Sequence, residues 1–238
     1  MNAAHGADDL TVGGIEAALT TAFVGRSLLY LPEVTSTNDL ARRLAGDGAA
    51  DGTVVIADYQ TAGRGRLDRR WLAPPGSSLL FSLVLRPPLA SHQAQWLTMA
   101  CGLAVLDAVK ATTGLELGLK WPNDVVAGGT KVAGILAELE LQPGTPCRVD
   151  YAIVGIGINV NLAPGDLPAE LPVPAASLSS LTGGNVSRLS LLVALLATIE
   201  ERYLAVRAGR SPHDEWTQRL ATLGERVAVS DGTRVMEG

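Results

Sequence analysis

Cysteine is scarce in this 238-residue chain, with only Cys101 and Cys147 present. Neither lies in a CxxC or Cys/His ligand pattern, so a structural zinc site is not expected. Counting alone leaves a disulfide open; reduced thiols in the cytoplasm are the expectation. Histidine is nearly as rare, and His5, His92 and His213 form no Ser-His-Asp set that the sequence can show. An excess of positive charge is missing too. The formal net charge of −5 argues against a nucleic-acid binder held by general phosphate attraction. Long apolar runs are also lacking: Leu189 to Ile199 is shorter than the ~18 residues of a membrane span. It runs into Glu200 and Glu201 and reads as a buried helix. Met1 to Asp9 has no basic segment followed by an apolar one, so secretion is not indicated. What remains is a globular composition, 47% hydrophobic and 18% charged, enough for one full domain with a small appendage.

The positive charge that exists is local. Gly63-Arg64-Gly65-Arg66-Leu67-Asp68-Arg69-Arg70-Trp71 packs four arginines, two glycines and a tryptophan into one stretch. It follows the strand-like run Thr53 to Tyr59, which places it on a loop leaving a sheet. Glycines let backbone N–H groups turn toward an anion. Arginine forks match phosphate oxygens, and Trp71 offers a flat face for a purine. A solvated basic turn would account for arginines alone. The glycine spacing and the tryptophan favour a loop that handles the phosphates of a small anionic ligand. Its crowded like charges and its glycines predict disorder in the absence of ligand.

Along the chain, a flexible tail over residues 1–14 leads into a short helix from Ile15 to Phe23 and a strand from Ser27 to Val34. Thr35-Ser36-Thr37-Asn38 supplies N-cap residues ahead of Leu40, Ala41 and Leu44 at helical spacing. Ser78 to Leu85 alternates like a strand, and Ser91 to Thr112 is the longest helical pattern, stopped by Gly114. Leu115 to Trp121 reads as a strand, and Val125-Val126 and Val132 to Leu141 flank Gly128-Gly129 as a hairpin. Tyr151 to Val160 is an apolar, central strand. Pro164 to Pro174 is loop, and Leu189 to Arg207 and Ser211 to Leu223 are helices. Glu225 to Ser230 and Thr233 to Met236 form a hairpin across Asp231-Gly232. Strands grouped with few helices between them predict an α+β fold, a mixed β-sheet with flanking helices, over a doubly wound parallel one.

Four more clusters could carry chemistry. Capping alone explains Thr35 to Asn38; the functional alternative is a set of hydroxyl and amide groups suited to a urea or amide head. Lys120-Trp121-Pro122-Asn123-Asp124 gathers a lysine, an amide and a carboxylate at a strand end, or is an ordinary turn. Lys131-Val132-Ala133-Gly134-Ile135-Leu136 carries a lysine into an apolar strand, which is costly without an anionic partner. Gly155-Ile156-Gly157-Ile158-Asn159-Val160-Asn161 is weak as a dinucleotide fingerprint, because the third glycine is missing and no helix follows. Glycines in a central strand mark close approach of a ligand or another backbone.

In this order the five motifs resemble the biotin protein ligase family, the biotin–[acetyl-CoA-carboxylase] ligases, from about Ser27 to Leu162. The resemblance implies a class II aminoacyl-tRNA synthetase-like catalytic domain over residues 15–223. It also implies the start of a small SH3-like β domain over residues 224–238. The enzyme it implies is cytoplasmic, activates biotin with ATP and Mg²⁺ as biotinyl-5′-AMP, and releases pyrophosphate. The biotinyl group then passes to one lysine of a biotin carboxyl carrier domain. By resemblance, Ser36, Thr37, Asn38 and Gln60 lie at the ureido ring. Gly63, Arg64 and Arg66 belong to a loop that closes over carboxylate and phosphates, with Arg69 at the pyrophosphate and Trp71 at the adenine. Lys131 reaches both the biotin carboxylate and the α-phosphate, where one anion attacks another and a fixed cation helps most. Gly134 lets the backbone approach the ligand. Asn123, Asp124 and Asn159 match nucleotide-side positions, Asp124 as an oxygen ligand for Mg²⁺. Lys131, Arg64 and Arg66 are the catalytic candidates, and the first step needs no general base because a carboxylate is ionised at neutral pH.

Two departures stand out. Asp68 occupies a place where many relatives carry glycine, which should weaken the loop's anion field. The chain ends at Gly238 after one expected hairpin, so the SH3-like domain is expected to be incomplete. Three rivals compete with a ligase. A DNA-binding repressor is disfavoured by the short, non-basic segment ahead of Ser27. A lipoate ligase or octanoyl transferase is disfavoured by the G-R-G-R and K-W-P-N-D motifs. A non-catalytic biotin binder is disfavoured by the presence of Arg64, Arg66 and Lys131. Neither nucleic acid nor membrane is an expected partner.

Overall fold

Seven strands form one sheet in the computed structural model, which describes residues 10–67, 69–163, 165–166, 174–230 and 234–238. Several expectations lie outside the described residues: the tail before Leu10, Asp68, the greater part of the Pro164 to Pro174 loop, and the Asp231-Gly232 turn. The strands are β1 (Leu28–Val34), β2 (Thr53–Gln60), β3 (Ser78–Leu85), β4 (Gly118–Lys120), β5 (Asp124–Ala127), β6 (Thr130–Gln142) and β7 (Thr145–Asn159). Their spatial order is β1-β2-β3-β7-β6-β5-β4. β1 and β2 run parallel while every other neighbouring pair is antiparallel. The sheet is therefore mixed, with β7 at its centre.

Helices α3 (Gln95–Thr113) and α5 (Arg188–Arg207) cover one face. Leu79, Phe81, Leu83 and Leu85 of β3 point into that core. On the other face α2 (Thr37–Gly46) seats Ala41 and Ala45 against Val55, Val84 and Ile153. The alternation of Ser78 to Leu85 thus separates two covered faces, and the whole strand is buried. A buried charge fastens α5 to the sheet. Arg188 is 3% exposed, ion-paired with Asp58 at 2.8 Å and donating to Ser78 O at 3.0 Å. Tyr30 Oη donates to the other oxygen of Asp58 at 2.6 Å.

Some boundaries differ from the sequence reading, and at the first and last helices a distant group claims backbone that a longer helix would use. The first helix, α1, is Val12–Ala18, capped by Thr11, and does not continue to Phe23. The carboxylate of Glu200 takes the N–H groups of Ala22, Phe23 and Val24 at 2.7, 2.8 and 2.9 Å. β4 is shorter than Leu115 to Trp121. The last helix, α6 (His213–Gln218), stops before Leu223 because Leu119 N donates to Arg219 O and Ala221 N to Leu119 O, both at 2.8 Å. A short α4 (Leu178–Thr182), capped by Ser177, was not expected. The carboxy-terminal hairpin is β8 (Ala228–Ser230) with β9 (Val235–Glu237). Among the described residues no helix is long and apolar enough to cross a membrane. Both cysteines are free; burial pushes the Cys101 thiol up to about 12, and Cys147 is exposed.

Candidate functional site

The sheet face that carries α2 is only partly filled by it. There the register sets Ile153, Gly155 and Gly157 of β7 beside Glu138, Leu136 and Gly134 of β6. Same-face positions recur about every 6.6 Å along a strand, so these residues make a strip with glycines at its middle. The glycines leave room that side chains of other elements occupy. A Cβ on Gly155 would lie 2.1 Å from Asn38 Oδ1, and one on Gly157 would lie 2.7 Å from the Trp71 indole. At Gly134 it would meet Lys131 Nζ at 3.0 Å and the Trp71 ring at 3.1 Å.

At one end stands a cluster of hydroxyls and amides. Gln60 Oε1 accepts from Thr37 N at 2.8 Å and from Thr37 Oγ1 at 3.1 Å. Its NH₂ group is thereby left to donate elsewhere. Ser82 Oγ has one hydrogen for two acceptors, Thr37 Oγ1 at 2.8 Å and Asn38 Oδ1 at 2.6 Å. Asn38 Nδ2 donates to Glu138 Oε2 at 2.8 Å. Ser36 acts on the helix instead, its hydroxyl capping α2 by accepting from Asp39 N at 3.4 Å.

The arginine loop rises from this end. Trp71 N donates to Gly63 O at 3.0 Å and Gly65 N to Arg69 O at 2.7 Å, closing the base of the loop. Gly63 is tightly placed, since a Cβ there would lie 2.7 Å from Trp71 O. Arg64 turns toward carboxylates, meeting Asp39 and Glu138 at 2.7 Å each. Arg66 and Arg69 stand exposed. Burial pushes the Glu138 carboxyl up, but hydrogen bonds from Asn38 and Arg42 and the charges of Arg64 and Arg42 outweigh it. The net shift is below the usual carboxylate range.

At the other end Lys131 Nζ pairs with Asp124 Oδ1 at 2.6 Å and sits 5.4 Å from the centroid of the Trp71 ring. This is the anionic partner that an inward lysine requires. Asn159 Nδ2 donates to Ala176 O at 3.1 Å and reaches Lys131 O at 3.4 Å, bracing the lysine's backbone. Asn123 Nδ2 donates to Ile135 O at 2.6 Å and fixes the link between β5 and β6. Trp71 has its Nε1 buried without a hydrogen-bond partner.

Of the sequence-expected residues, Thr37, Asn38 and Gln60 meet at one end of the strip and Lys131, Asp124 and Asn159 at the other, with Trp71 between, whereas Ser36 caps α2 and Arg66 and Arg69 stand exposed on the loop. Glu138, Ser82 and Asp39 were missed. Ser82 had a signal, a hydroxyl inside an apolar strand. Glu138 had a weaker one, falling on the same face as Gly134 at even spacing. A cavity of about 370 Å³ beside Asp107, Arg202 and Glu215 lies between α3, α5 and α6 and involves none of these residues.

The model of the biotin/lipoate A/B protein ligase family matches residues 30–159. The bifunctional ligase/repressor of Bacillus spizizenii is 38% identical over 194 residues, covering 82% of this chain and 59% of that protein. The chain thus spans less than two thirds of the length of that relative. The biotin–[acetyl-CoA-carboxylase] ligase of Mycobacterium tuberculosis is 40% identical over 210 residues, covering 86% of this chain and 74% of its own. Among solved structures, the biotin protein ligase of Aquifex aeolicus in complex with biotin and ATP superposes with a TM-score of 0.74 at 34% identity. That match covers 90% of this chain and 86% of the other.

Proposed function

The chain belongs to the biotin/lipoate A/B protein ligase family, and on that premise we propose that it is a biotin–[acetyl-CoA-carboxylase] ligase. It joins biotin to ATP as biotinyl-5′-AMP, then passes the biotinyl group to a lysine of a biotin carboxyl carrier domain. The carrying observation is the strip itself. A cluster of Thr37, Asn38 and Gln60 suited to a ureido ring faces a caged lysine across a glycine floor, with an arginine loop above.

In the first step a carboxylate oxygen of biotin bonds to the α-phosphorus of ATP. The bond to the bridging oxygen breaks, and pyrophosphate leaves with the electron pair. Lys131 offers a fixed cation to the charge shared by carboxylate and phosphate. To do so it exchanges Asp124 and the indole for substrate oxygens, which also opens one face of Trp71 to the adenine. Arg66 and Arg69, exposed on the loop, take phosphate oxygens, and Asn123 and Asn159 hold the nucleotide side of the floor. In the second step the amine of a carrier lysine attacks the biotinyl carbonyl and AMP leaves.

Magnesium fits as a companion of ATP. Among the described residues no three His, Cys, Asp or Glu side chains converge to hold a metal. Mg²⁺ commonly needs only one or two carboxylates beside substrate phosphates. Asp124, once released by Lys131, supplies one, and the ion would neutralise charge on the leaving pyrophosphate. A cytoplasmic site of action suits the two free thiols. The test is exchange of labelled pyrophosphate into ATP. Exchange that requires biotin is expected; exchange supported by lipoate and not by biotin would assign the other branch of the family, and none with either would refute ligase chemistry.

A further inference from the structure

One carboxylate joins the amide cluster to the arginine loop. Glu138 Oε2 accepts from Asn38 Nδ2 at 2.8 Å and from Arg64 Nη2 at 2.7 Å, while Oε1 meets Arg42 Nη2 at 2.6 Å. Two donors from α2 and one from the loop thus converge on a single side chain of β6, whose own exposure is 20%. An ionised carboxylate can only accept. Glu138 therefore turns the NH₂ of Asn38 toward itself and leaves the Asn38 carbonyl for Ser82, whose hydroxyl lies 2.6 Å away. A flipped amide would set acceptor against acceptor at Glu138. Retreat of the amide toward the sheet is closed, because Asn38 already fills the space that a Cβ on Gly155 would take. On the loop side, Asp39 ties Arg64 to α2 and Glu138 ties it to the sheet.

Resting on the ligase reading above, we propose that Glu138 is a positioning residue that couples the ureido-side pocket to the arginine loop. It touches neither Lys131 nor the reacting atoms. It orients Asn38 and holds the first arginine of the loop with the same oxygen, Oε2, so a displacement of either is felt by the other. The resulting link makes closure of the loop depend on a correctly set pocket. The same link accounts for Arg64 facing carboxylates while Arg66 and Arg69 stand exposed, where phosphates can meet them.

Glu138→Gln keeps the size of the side chain but places an NH₂ group against a guanidinium or against the Asn38 amide. The loss of charge-assisted hydrogen bonds should raise KM for biotin by about ten- to a hundredfold, with a smaller fall in kcat at saturating biotin. In the ligand-free protein, trypsin should cut faster between Arg64 and Arg70. Asp107→Asn removes a carboxylate from an ion pair on the opposite helices and should leave KM and loop cleavage at parent values, whatever it does to stability. Parent KM and parent cleavage in folded Glu138→Gln would overturn the proposal, as would losses of stability and kcat alone. If the amide variant does not fold, Glu138→Asp decides by cleavage: the shortened carboxylate should free the loop, and unchanged protection would refute the coupling. Cleavage needs no activity. A parent without biotin-dependent exchange would sink the ligase reading and still leave the hold on Arg64 measured.

Discussion

Gly155→Ala is the substitution for which the structure gives the clearest magnitude. The added Cβ would lie 2.1 Å from Asn38 Oδ1, 2.9 Å from its Cγ and 3.1 Å from its Nδ2. To regain ordinary contact at 3.4 Å, the Asn38 amide must retreat by about 1.3 Å. It is held there at 2.6 Å by Ser82 and at 2.8 Å by Glu138, and a move of that size takes both beyond hydrogen-bonding distance. The charge-assisted bond contributes about 1.5–3 kcal/mol and the neutral one about 0.5–1.5 kcal/mol. Even the smaller total exceeds the ~1.4 kcal/mol that corresponds to tenfold in an equilibrium constant. Biotin KM, read from pyrophosphate exchange, should therefore rise more than tenfold, and thermal unfolding should come earlier. Gly157→Ala makes a useful companion because its Cβ meets Trp71 and not Asn38. Folded Gly155→Ala with the parent's KM would show that Asn38 has no part in holding biotin.

Lys131→Ala should lower the adenylation rate by about 10²–10³ while weakening biotin affinity much less; equal losses in single-turnover rate and binding would assign the lysine a ground-state role. Arg66→Gly should let biotinyl-5′-AMP leave roughly ten to a hundred times faster, the equivalent of one charge-assisted bond. Biotin should then appear on bystander albumin in a mixture with ATP, and a variant that forms no adenylate would move Arg66 into the first chemical step. Burial pushes the Glu200 carboxyl up, but the N–H groups of Ala22, Phe23 and Val24 and the charge of Arg26 outweigh it and leave it below the usual range. A depressed carboxylate contributes stability that is present above its unfolded value and lost as pH falls through the folded one. Glu200→Gln should therefore unfold more easily than the parent at pH 7, by a gap that narrows as the pH is lowered through and below the usual carboxylate range in urea titrations; a constant gap would refute the assignment. Arg188→Ala should cost about 3–5 kcal/mol by leaving the Asp58 carboxylate without its buried cation, measured by the same titrations; a change under about 0.5 kcal/mol would place this pair among ordinary surface contacts.

Legible in the amino-acid string were the mixed α+β class, most strands, the two long helices and several residues that meet on the strip, Thr37, Asn38, Gln60 and Lys131 among them. The elements follow from local rules, apolar periodicity and glycine stops such as Gly114, and the site residues from motifs that resemble those of a family. The string also marked Lys131 as in need of an anion, and Asp124 is that anion. Where elements end and which groups pair depend on contacts between distant parts of the chain. Glu200 unmakes the continuation of α1 from more than 170 positions away, and Leu119 ends α6 by claiming Arg219 and Ala221. Glu138 looked like a polar residue on a strand face until register set it beside Ile153 and under the donors of α2 and the loop. Periodicity is a property of neighbours in the chain and can be read from a string. Hydrogen-bond partnership across a sheet depends on register and on what packs above it, and those are fixed only when the strands have met.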